Sequence, residues 1–159
     1  MFLAIGCVVL ATSVACTSVV SGEATAPPSV ARSADAATEI SQQLGKRFCE
    51  IITFEYGQFD EFAQRARPNL VGAAAESFEK SLDGLRQTIS TTWSDGDGTK
   101  CTPIEVIPKR PITSDTAEAS VSVAVVDVRG GTRDSRVSDA DLTVHRVRGQ
   151  WLIADVSIK

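Results

Sequence analysis

Between residues 35 and 53 the large apolar side chains fall at Ile40, Leu44, Phe48, Ile51 and Ile52. Those steps keep them on one side of a 3.6-residue helix, so the spacing predicts an amphipathic helix from Asp35 to Thr53 with one buried face. Ser33 or Asp35 can cap its start, and Gly57 stands where a helix terminator is common. Phe59 to Ala66 predicts a short second helix, closed by Arg67-Pro68. A third runs from Gly72 to Trp93, with Phe78, Leu82, Leu85, Ile89 and Trp93 on one stripe. Gly84 inside it costs about 1 kcal/mol against alanine, which points to close packing or a bend. The run Asp95-Gly96-Asp97-Gly98 ends the helical part of the chain.

After that break the period changes to two. Ala119, Val121, Val123 and Val125 alternate with Ser120, Ser122, Ala124 and Val126, and predict a half-buried strand over 117–128. Arg136 to Val147 alternates through Leu142 and Val144, and Trp151 to Ile158 reads as a terminal strand. Gly149-Gln150 between them fits a two-residue hairpin loop. A further strand from Lys100 to Ile107 precedes Pro108 and Pro111, which mark a loop or a sheet edge. Helices first and antiparallel strands afterwards predict an α+β domain over residues 35–159, with about three helices packed on one face of a curved sheet of about four strands.

The amino-terminal residues do not belong to that domain. Phe2 to Ser21 carry no charged side chain, and as a helix rising ~1.5 Å per residue they would span about 30 Å, the thickness of a bilayer core. Residues 1–21 thus fit a secretory signal peptide, a lipoprotein signal or a retained membrane anchor. In the lipoprotein reading Ser13-Val14-Ala15 precedes Cys16, the candidate for lipidation, although Ser13 stands where such boxes usually carry leucine. Each reading puts the domain on the extracytoplasmic side of a cell membrane or envelope. No Lys or Arg precedes Arg32, so the positive flank that sets orientation is missing; a start codon assigned downstream of the true one would account for it. Residues 22–34 hold Pro27-Pro28 and almost no large side chain, and predict a flexible tether.

The chain of 159 residues carries a net charge of −4, which argues against nucleic acid as partner because phosphate binding needs a basic surface. Among the four cysteines, Cys49 and Cys101 are the two of the domain, the number for one disulfide in an oxidising compartment; two separate buried thiols are the alternative. Closing that loop would restrict the unfolded chain by about 4 kcal/mol on the chain-entropy model. One histidine, His145, and no clustered ligand spacing leave no candidate metal site, no cofactor site and no nucleophilic constellation. Asp127, Asp155 and Glu55 are the carboxylates placed to serve as acid or base, each more simply read as solvated or paired, with Asp155 across the last hairpin from Arg146 or Arg148. Arg129, Arg133, Arg136, Arg146 and Arg148 gather basic charge near the strand loops, a patch suited to anionic lipid or an acidic partner, or simply solubilising charge.

Three helices followed by a bent antiparallel sheet resemble the nuclear-transport-factor-2-like cone. Within that fold, Phe54-Glu55-Tyr56 followed by Phe59-Asp60-Glu61, and the closing segment Arg148-Gly149-Gln150-Trp151-Leu152-Ile153, resemble the small actinobacterial proteins associated with mammalian-cell-entry (Mce) lipid importers. The resemblance covers residues 35–159 and implies a non-enzymatic, membrane-tethered domain that scaffolds or stabilises an Mce-type lipid import assembly. The alternatives are a carrier of a small apolar ligand such as a lipid or sterol, and an isomerase-like enzyme using the cone's interior. Phe54, Tyr56, Leu85 and Trp151 are the candidate lining of such a pocket.

Overall fold

Why the first helix starts early is a matter of its composition. The computed structural model describes residues 28–159, and in it α1 spans Pro28–Glu50. It begins at Pro28 rather than Asp35, so residues 28–34 of the expected tether are helical. Proline's fixed φ suits the first helical position, and Ala31, Ala34, Ala36 and Ala37 are strong helix formers. The expectations for residues 1–21, for Cys16 and for the tether up to Pro27 lie outside the described residues. At its other end the carbonyl of Cys49 accepts the N–H groups of Ile52 and Thr53 at 3.2 and 2.8 Å, which closes α1 before Thr53. The helices α2 (Phe59–Ala66), followed by a 3-10 turn at Arg67–Asn69, and α3 (Gly72–Thr92) complete the helical part.

The sheet has five strands rather than four. β1 is only Phe54–Glu55, too short to show a period, and it pairs with Gly98 and Thr99 at the start of β2 (Gly98–Lys109). Gly98 is required there, because a Cβ would lie 2.9 Å from the carbonyl oxygen of Phe54. β3 (Thr116–Arg129), β4 (Thr132–Val147) and β5 (Gln150–Ile158) follow, and the spatial order β1-β2-β3-β4-β5 is that of an antiparallel meander. Register shifts between Pro103 and Glu105 and between Thr143 and Val144 mark bulges, which increase local twist and let the sheet curl around α1. The last hairpin turns at Arg148-Gly149, not Gly149-Gln150: both residues have positive φ, 51° and 81°, the requirement of a type I′ turn.

Two apolar cores result. In the larger, Ile40, Leu44 and Phe48 of α1 meet Val121, Val123 and Val125 of β3, Leu142 and Val144 of β4, and Trp151 and Ile153 of β5. Burying a side chain of this size contributes roughly 1.5–3 kcal/mol. The smaller is aromatic: Phe54, Phe59 and Phe62 pack edge to face, with Phe78 and Trp93 against them. Cys49 and Cys101 are joined in a disulfide that ties the end of α1 to β2. Gly84 faces open space, so close packing does not explain it. Among the described residues no helix is long and apolar enough to cross a membrane.

Candidate functional site

The interior of the cone is filled by its own side chains. Trp151 is fully buried beneath α1, surrounded by Ile40, Leu44, Phe48, Leu142 and Ile153, each at most 1% exposed. Trp151 belongs to the larger core, while Phe54 and Leu85 pack into the aromatic one. Of the four expected lining residues, Tyr56 borders a depression of about 290 Å³ between α2 and α3, together with Phe59, Asp60, Arg86 and Ile89. Arg86 stacks on Phe59 there, 4.3 Å from the ring centroid, and donates to Asp60 at 2.6 Å. Its guanidinium is thereby already engaged.

The larger depressions lie on the rim, where the start of α1 faces the β2–β3 loop. One of about 490 Å³ is lined by Arg32, Asp35, Glu39, Thr113 and Arg146; the next, about 460 Å³, by Thr38, Gln42, Pro108 and Arg110, and Ile112 borders both. Glu39 is the organising group of this rim. It accepts hydrogen bonds from Arg146 at 3.0 Å and from the indole N–H of Trp151 at 3.3 Å. About two turns further along α1, Arg47 donates to Asn69 at 2.9 Å and Gln150 at 3.3 Å, and Asn69 donates to Glu50 at 2.8 Å. A polar seam thus joins α1 to β5 beside the apolar core, with the Nε of Arg47 buried and without a hydrogen-bond partner.

Asp127, the half-buried one of the candidate carboxylates, lacks the raised pKa that a general acid or base needs. Burial raises the pKa of Asp127, but the Thr99 hydroxyl at 2.6 Å and the Arg136 guanidinium outweigh it, leaving the carboxyl below its ordinary value. Asp155 is exposed and lies opposite Thr143, not Arg146 or Arg148. Glu55 is exposed and accepts from Gln58 at 3.2 Å. His145 is exposed on β4, between Thr116 and Leu152 of its neighbours. Among the described residues no group of three or more His, Cys, Asp or Glu could hold a metal ion.

The arginine patch also divides. Arg129 lies over Trp93, 3.4 Å from the ring centroid, Arg136 pairs with Asp127, and Arg146 pairs with Glu39. Arg133 and Arg148 are exposed. Two aspartates that sequence reasoning passed over prove to be structural hubs. Asp97, 5% exposed, accepts from Ser94 and Gly130, and the Ser94 backbone N–H is the main cause of its lowered pKa. Asp141 accepts from Ser120, Lys109 and Lys159 at 2.6, 2.7 and 3.0 Å, the lysine Lys109 holding it well below the usual carboxylate range. Asp97 was visible only as part of a helix-breaking run, and Asp141 only as a polar outward position of β4.

The arrangement is that of a filled α+β cone with a polar rim, and the fold is nuclear-transport-factor-2-like. Solved structures share it. An IcmL-like type IV secretion system protein from Legionella pneumophila matches 79% of this chain and 91% of its own, at 13% identity and a TM-score of 0.59. A periplasmic fragment of TraM matches 81% and 96%, at 13% identity and 0.55. CagV, a VirB8 homologue of the type IV secretion system of Helicobacter pylori, matches 78% and 97%, at 7% identity and 0.53. No protein-family model matches the sequence, and no curated protein matches it either.

These neighbours overturn the Mce-associated assignment: an IcmL-like protein and a VirB8 homologue, both of type IV secretion systems, share the cone, and nothing points to lipid importers. The reason lies in the motifs. Gly149 supplies a type I′ turn, Trp151 fills the core and Phe54 anchors the aromatic cluster, so those residues report the fold and not a family within it.

Proposed function

We propose that this protein is a membrane-tethered, extracytoplasmic, non-enzymatic domain that acts as a structural component of a multiprotein envelope complex of the secretion type. The observation that carries the reading is the shared cone, matched over nearly the whole of three proteins described as secretion-system or periplasmic components. Two features of this chain support it. The uncharged run from Phe2 to Ser21, or a lipid on Cys16, would supply the tether. The filled interior and the lowered pKa of Asp127 speak against both an apolar-ligand carrier and an isomerase-like enzyme.

The test is crosslinking in intact native membranes, extraction through a carboxy-terminal tag, and mass spectrometry of what co-purifies. Subunits of a secretion or conjugation assembly are the expected catch. Recovery of the chain alone, or with bound lipid and no protein, would overturn the proposal.

A further inference from the structure

The described residues fix which end of the domain the tether enters. The start of α1 lies against the β2–β3 loop, where Arg32 to Glu39 share a depression with Ile112 to Ser114. Its far end lies beside the first part of β2, joined there by the Cys49–Cys101 disulfide. Between them Gly45 brings α1 so close to β2 that a Cβ would stand 2.9 Å from that of Pro103. α1 is therefore held against the sheet from Ala36 to Cys49, a rise of ~20 Å, and over that length cannot swing as a free stalk. β3 starts at the same end, at Thr116, and its 14 residues carry the chain about 45 Å to the β3–β4 turn at Gly130-Gly131.

Only the six residues Gly22–Pro27 separate the uncharged run from α1, and fully extended they reach about 20 Å. From Cys16, the other attachment point, the reach is about 40 Å. We infer that the domain stands on the bilayer: the end formed by the start of α1 and the loop from Lys109 to Asp115 faces the phospholipid headgroups, and the β3–β4 turn points away from them. The near end carries exposed Arg32 and Arg110, whose guanidinium forks suit phosphate, with Asp35 and Asp115 beside them. Near-balanced charge there means that the tether, not the arginines, supplies the affinity, and that the arginines select the face.

This inference rests on the membrane-tethered reading above, and the experiment separates the two. The full chain is reconstituted into vesicles of phosphatidylcholine with a minority of phosphatidylglycerol, some of it bearing a headgroup energy acceptor. A fluorescent unnatural amino acid is placed at Ser114 in one sample and at Arg133 in another, both exposed positions. Transfer to the headgroups should be several-fold stronger from position 114 than from 133, and Arg32→Glu with Arg110→Glu should narrow the difference while the chain still floats with the vesicles. Equal transfer from both positions, or stronger transfer from 133, in a chain that floats would overturn the standing orientation and leave the tether reading intact. A chain that does not float overturns both.

Discussion

The carboxylate of Asp97 accepts a hydrogen bond from the backbone N–H of Gly130 at 2.7 Å, across 33 residues of sequence. The same carboxylate takes the backbone N–H and hydroxyl of Ser94, so one side chain pins the β3–β4 turn to the end of α3. Arg129 reinforces the junction by lying over Trp93 and donating to the carbonyl of Gly98 at 2.9 Å. The long hairpin is thereby held to the helical layer at its far end as well as through its core-facing residues.

Asp97→Ala should therefore loosen the turn without unfolding the domain. Amide hydrogen exchange at Gly130 should quicken, and the melting temperature should fall. The pH dependence has a definite sign. The folded-state pKa values of Asp97, Asp127 and Asp141 all lie below the ordinary aspartate value. Groups of this kind stabilise the fold fully above the unfolded pKa, and the contribution is lost as pH falls through the folded value. Denaturant midpoints should hold steady from neutrality to about pH 5 and then drop, with a shallower drop in Asp97→Ala. A midpoint that rises as pH falls below 4 would contradict the assignment.

The Cys49–Cys101 disulfide closes a loop of 52 residues that contains α2, α3 and β1. A cross-link of this span stabilises by about 4 kcal/mol on the chain-entropy model, and disulfides typically deliver about 2–4 kcal/mol. The double variant Cys49→Ala/Cys101→Ala, or the wild type under strong reductant, should lose stability of that order. Because Cys49 sits in the larger core, the variant adds a small packing loss that reduction does not. Chemical denaturation of the two, side by side, separates these contributions.

How much of this was legible in the sequence follows from the physics of each element. The stripe of Ile40, Leu44 and Phe48 and the alternation of Val121, Val123 and Val125 are long-period signals, and both point into the larger core as expected. β1 was invisible because two residues carry no period, and its existence depends on a long-range approach to Gly98. The early start of α1 was hidden because an Ala-rich stretch with two prolines reads equally well as tether. The site was least legible. Whether Trp151 lines a pocket or fills it depends on how closely α1 descends on the sheet, and that depends on Gly45 meeting Pro103, a contact no local pattern encodes.

Glycine positions give opposite predictions. At Gly45 a Cβ would lie 2.9 Å from the Pro103 Cβ and 3.2 Å from Val106 Cγ2, with neither neighbour a flexible chain end. Gly45→Ala should cost about 1–3 kcal/mol through overpacking. At Gly84 nothing lies within 4 Å, and the backbone is helical. Gly84→Ala should stabilise by about 0.5–1 kcal/mol through helix propensity. Thermal melts of the pair that shift the same way would show that α1 does not sit as closely on β2 as described.

Arg148 occupies the first central position of the type I′ turn at φ 51°, a conformation that favours asparagine or glycine. Arg148→Asn should stabilise the domain by several tenths of a kcal/mol, up to about 1 kcal/mol, by relieving left-handed strain. Circular-dichroism melts are sufficient to measure it, and a destabilised variant would mean that the arginine side chain holds the hairpin by a contact of its own.

The decisive variant for function is Trp151→Ala. The indole is fully buried, its N–H is bonded to Glu39, and it fills space between α1 and the sheet. Removing it should cost about 3–5 kcal/mol and leave a void lined by the apolar side chains around it. If the filled interior is what keeps this cone from binding apolar molecules, the wild type should show no saturable binding of a small apolar fluorescent probe, whereas Trp151→Ala, at a temperature where it stays folded, should bind it. Saturable binding by the wild type, competed by lipid, would mean that the interior opens in solution and would favour the carrier reading over the scaffold.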